Sequence, residues 1–94
     1  MAQPQASSAG LARAVAHLLS REWQAAHEIV QHDKSKLAAW LHGIVHTLEG
    51  DLENARYWYR RAGRAFPGPE GVGAEIARAR DEVGGKTGRA KGKG

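Results

Sequence analysis

Apolar residues in this chain recur at intervals of three and four and nowhere alternate over the length of a strand, which confines the fold to packed helices. Leu11, Val15, Leu18 and Leu19 share one face of a first helix, with Ala12, Ala14 and Ala16 adding helix propensity between them. Trp23, Ala26, His27 and Val30 lie at i, i+3, i+4 and i+7 and predict a second helix, capped by Ser20 and fading at Gln31-His32-Asp33. Leu37, Trp40, Leu41, Ile44 and Leu48 trace the clearest stripe, starting from a Ser35 cap and stopping at Gly50. Asp51 caps a fourth helix whose stripe is Leu52, Ala55, Tyr59, Ala62 and Phe66 and which Pro67-Gly68-Pro69 ends. A weaker fifth helix carries Val72, Ile76, Ala79 and Val83, with Gly71 and Gly73 unsettling its first turn. Connections this short make consecutive helices antiparallel neighbours. The expectation is an all-α domain of two stacked antiparallel hairpins plus a short C-terminal helix.

With 94 residues there is room for one core and no second domain. The chain has no cysteine, so disulfides, thiol nucleophiles and thiolate metal sites are excluded. No apolar run approaches a membrane span and the start lacks the order of a signal peptide, so no membrane association and a cytoplasmic location are expected. The net charge of +4 suggests a nucleic-acid binder until the charges are placed. Residues 1–83 are neutral, and the whole excess falls in 84–94, where Lys86, Arg89, Lys91 and Lys93 stand among glycines with no acidic neighbour. Nothing there offsets the entropy of ordering, so 84–94 reads as a disordered Gly/Lys-rich tail and 1–10 as a frayed lead-in, leaving 11–83 as the folded domain.

In the second hairpin small Gly43 stands early in the first helix, Gly50 at the turn, then Ala55, aromatic Tyr59, Ala62 and a closing Pro67. With these residues at these spacings the hairpin resembles a tetratricopeptide repeat. In the first hairpin Ala25 and Ile29 take the positions of the alanine and the aromatic, and Arg13 that of the small residue. The stretch from Trp40 through Arg61 also resembles small microbial proteins, a likeness that implies no activity. The repeat resemblance implies recognition of a protein or peptide on a helical surface, without cofactor or chemistry of its own. It also implies that His42 and His46 face the interior of their hairpin. A stack this short invites self-association, so a homo-oligomer is a further expectation.

Among the aromatics, Trp23 and Trp40 lie on apolar stripes and read as core, whereas Trp58 stands beside its stripe. Tyr57, Trp58, Arg60 and Arg61 therefore make the expected partner-binding face, being the side-chain types enriched at interface centres. Arg56, Arg60, Arg61 and Arg64 can alternatively meet phosphate, but no nucleic-acid-binding module accompanies them. A solvated helix face, with Arg56 paired to Glu53, is the favoured reading, and only weak, non-specific polyanion contacts through this face and the tail are expected.

The one candidate of a different class is His42, His46 and Glu49, spaced i, i+4 and i+7 on the third helix opposite its apolar stripe. Two imidazoles one turn apart can share a divalent metal such as zinc, or be poised by the carboxylate for proton transfer. Gly43 stands where helical zinc enzymes place a glutamate after the first histidine, so that enzyme motif is incomplete. The competing and favoured reading packs this face on the fourth helix, its imidazoles hydrogen-bonded to Tyr or backbone. His27 is expected to be a satisfied buried imidazole, although His27-Glu28 joining the pair would make a four-ligand cluster. His17 and His32 read as surface. No serine triad, dinucleotide fingerprint or calcium loop is present.

Overall fold

A computed structural model of the chain describes residues 8–85; the expected lead-in and tail lie largely outside them. Helices α1 (Ser8–Leu19), α2 (Trp23–Val30), α3 (Lys36–Glu49), α4 (Leu52–Ala62) and α5 (Val72–Arg80) follow one another, and no strand occurs among the described residues. The domain is all-α. A 3₁₀ turn at Pro69–Gly71 leads into α5, and a π-type turn at Asp81–Gly85 follows it, taking in Gly84 and Gly85, which the sequence assigns to the tail.

Local chemistry explains most of the boundaries. The Ser35 hydroxyl accepts from the Ala38 amide at 3.0 Å, and Asp51 accepts from the Asn54 amide and side chain, so α3 and α4 start where their caps stand. Gly50, at φ 93°, closes α3 in the left-handed conformation that glycine adopts without strain. Two expectations fail here. Ser20 lies in the turn that ends α1, and α2 begins after Glu22 without a side-chain cap. The α4 helix stops at Gly63, φ 75°, four residues before the prolines, because a left-handed glycine terminates a helix by itself. Phe66 therefore packs on Tyr59 from the following loop, at 5.2 Å between ring centroids.

Helices α1 and α2 form one hairpin and α3 and α4 the other, joined by the packing of α2 on α3. The α3 helix is the axis of the domain: every residue from Ala38 to Thr47 is buried. Leu11, Ala14, Val15 and Leu18 from α1, Ala26 and Val30 from α2, and Ile76 and Ala79 from α5 complete the core. The α5 helix lies against both α1 and α3, covering the side of the stack that the first helices of the two hairpins share. One carboxylate ties it down. Glu75 Oε1 accepts from Trp40 Nε1 at 2.9 Å and from the Tyr59 hydroxyl at 2.7 Å, joining α5 to α3 and α4. Arg64 reinforces this end, with its guanidinium 3.5 Å from the Trp40 ring centroid and a salt bridge to Glu82 at 2.9 Å.

Candidate functional site

The helical step puts His42 and His46 one turn apart on α3, and the hairpin geometry brings α2 and α4 to that side of the helix. His27 on α2 comes within 4.7 Å of His42 and 5.6 Å of His46 between ring centroids, and the two α3 rings are 5.0 Å apart. Against the His42 ring, Trp58 of α4 lies parallel at 3.9 Å, tilted by only 7°. The three histidines thus form a cluster walled by an indole. One ring nitrogen from each lies within 4.8 Å of the others.

This corrects the sequence-based reading of His27, which is half-buried and has no hydrogen bond to its ring among the described residues. Packing of the His face on α4 is as expected, but among the described residues the expected Tyr or backbone partners are missing. His42 is 6 % exposed, and among the described residues its ring makes ring contacts and no hydrogen bond. His46 donates Nδ1–H to Glu49 Oε1 at 2.7 Å. Glu49 consequently stands behind His46, and Glu28 is exposed and outside the cluster. The sequence raised the approach of His27 to this pair only as an alternative, because His27 and His42 meet only through tertiary packing. His17 is half-exposed and pairs with Glu22 at 2.7 Å, and His32 is exposed, as surface histidines should be.

Burial, and then the neighbouring His27 and His46, push the His42 pKa down from 6.5 to about 3. The unfolded chain therefore takes up this proton first as the pH falls. Stability from this group is complete above about pH 6.5 and is lost progressively toward pH 3. In the presence of EDTA, denaturant melts should show a loss of about 2 kcal/mol between pH 7 and pH 5, with a flatter profile in His42→Gln. The groups facing His42 are His27, His46 with its Glu49 partner, and Trp58; a profile equally steep in His42→Gln would assign the loss to other groups.

The expected partner face is divided. Tyr57 is 42 % exposed and Arg60 and Arg61 are exposed, but Trp58 is half-buried with one face spent on His42. Arg61 lies over both aromatic rings, 5.8 Å from Tyr57 and 5.5 Å from Trp58, and donates to the Tyr57 hydroxyl at 3.3 Å. Beside it, Trp58 and Arg61 face Lys34, Lys36 and Ala39 across a hollow of about 230 Å³ at the start of α3. Arg56 does not pair with Glu53; it covers the Phe66 ring at 5.3 Å. Among the described residues no helix is long and apolar enough to cross a membrane. Compared with protein-family models, curated proteins and solved structures, the chain matches none.

Proposed function

We propose that this chain is a small helical-hairpin module of tetratricopeptide type that binds a peptide or protein segment on the outer face of α4, through Tyr57, Trp58, Arg60 and Arg61. The observation that carries the reading is the hollow beside Trp58 and Arg61. At about 230 Å³ it is smaller than the pockets that enclose metabolites, of about 300–1,000 Å³, and suits a single apolar side chain. Arg61, Lys34 and Lys36 in its lining outnumber its one carboxylate, Asp33, and favour acidic residues flanking that side chain. The close approach of α3 and α4 at Gly43 supports the family reading, since a small residue there is what the resemblance implies. The covering of α1 and α3 by α5 directs binding to α4, because the shared face of the hairpins is already occupied.

Peptides selected from a random library should be enriched in acidic residues around one apolar position. Arg61→Ala and Lys36→Glu should each weaken the best peptide by about tenfold, the effect of losing one charged contact of about 1.4 kcal/mol. Unchanged affinity in both variants would remove this face from consideration. Sedimentation equilibrium of the same protein tests whether the segment bound is supplied by a second copy.

A further inference from the structure

We infer that His27, His42 and His46 form a binding site for a divalent transition-metal ion of the zinc class, with Glu49 holding His46 in the orientation that ligation needs. The inference is independent of the partner face. It begins with an unsatisfied group: His42 is more than nine-tenths buried, and neither of its ring nitrogens has a hydrogen-bond partner among the described residues. A buried imidazole without a partner is a standing penalty in a core where leucine would pack as well, unless something binds its lone pair. His27 likewise has no hydrogen bond to its ring among the described residues, and one ring nitrogen from each of the three histidines lies within 4.8 Å of the others.

Nitrogens bound tetrahedrally at 2.0–2.1 Å from zinc lie about 3.4 Å apart. Binding would have to close the group to that spacing, and half-buried His27 is less confined than His42, which is stacked on Trp58 at 3.9 Å. The Nδ1–H of His46 is taken by Glu49, which leaves Nε2 as its ligating atom and reproduces the carboxylate–histidine arrangement found behind metal-bound imidazoles. Three imidazoles with no thiolate select ions such as zinc over the hard, oxygen-seeking magnesium and calcium. An open hollow lined by Trp23, Gln24, Ala25, His27 and Glu28 exposes the His27 side of the group to solvent. Three protein ligands leave a coordination position for water or an anion. The second possible grouping, His46 with Glu49 and Asp51, is weaker, because Asp51 is exposed and committed to capping α4.

The test uses the full chain without a histidine tag, stripped with EDTA, dialysed and titrated calorimetrically with zinc chloride at pH 7.5. One ion per chain should bind with a Kd of about 1 µM or tighter. A hundredfold excess of zinc over Kd should raise Tm by about 10 °C. His27→Gln, at a half-exposed position where folding should survive, should weaken binding at least about a hundredfold, and Glu49→Gln by about tenfold. His17→Gln/His32→Gln should bind like the parent. X-ray absorption of the loaded protein should show three imidazoles at 2.0–2.1 Å. No binding below 1 mM, or binding that His27→Gln leaves intact while His17→Gln/His32→Gln abolishes it, would overturn the assignment.

Discussion

Gly43→Ala should destabilise the domain by about 3 kcal/mol, a large effect for one methyl group, and lower Tm by about 15 °C. A Cβ at Gly43 would stand 2.5 and 2.8 Å from two ring carbons of Tyr59 and 3.3 Å from the Ala55 carbonyl oxygen. Neither neighbour yields easily. Tyr59 is 1 % exposed and held by its hydroxyl on Glu75, and Ala55 presents backbone inside α4. The helices would have to move apart, breaking the packing that seats Trp58 on His42. Gly73→Ala is the informative contrast: it lies in α5 with only the Arg21 guanidinium near, at 4.0 Å, and needs no special backbone angle. There the added methyl should stabilise by about 0.5–1 kcal/mol through helix propensity and a less flexible unfolded chain. Equal melting temperatures for Gly43→Ala and the parent would mean that α3 and α4 are not in close contact at this point.

Removing the Glu75 carboxylate should have an effect of similar size, also about 3 kcal/mol, for a different reason. Trp40 and Tyr59 are buried to within 1 % of completely, and each donates its polar hydrogen to the same Glu75 oxygen. In Glu75→Ala both donors lose their acceptor inside the core, whereas Glu75→Gln keeps a carbonyl oxygen in place and should lose about 1 kcal/mol. Burial, followed by the hydrogen bond to Glu75, raises the Tyr59 pKa, so the neutral hydroxyl is the form the fold holds. Denaturant melts of the two variants decide the matter. If Glu75→Ala unfolds at the parent's midpoint, α5 is held by Ile76 and Ala79 alone and the carboxylate is incidental.

Much of the architecture was legible along the chain. The Ser35 and Asp51 caps and the Gly50 stop are local, each needing only the backbone within four residues, and they mark both ends of α3 and the start of α4 correctly. Helix α1 starts at Ser8, three residues before its first stripe residue, because helix formation extends past the apolar face that signals it. The early end of α4 was legible in principle at Gly63, but Phe66 continues the apolar spacing and draws the eye beyond it. The Glu75 anchor had no signal at all: a lone glutamate on a weak helix looks like a surface residue until Trp40 and Tyr59 are seen behind it.

The candidate site divides along the same line. The i, i+4 spacing puts His42 and His46 on one face of a helix and the next turn brings Glu49 to His46, so half of the cluster follows from periodicity. His27 and Trp58 are 15 and 16 residues away from His42 in opposite directions, and no local rule relates them to it. The amino-acid order by itself determined five helices, their pairing into hairpins and the neutrality of the folded part, because periodicity, caps and charge are properties of neighbouring residues. Only the tertiary structure decided that α2 and α4 close on the same side of α3, since that depends on how ridges and small residues fit across helices. That closure turns a surface-spaced histidine pair into a group of three, with His42 and His46 buried and His27 half-buried.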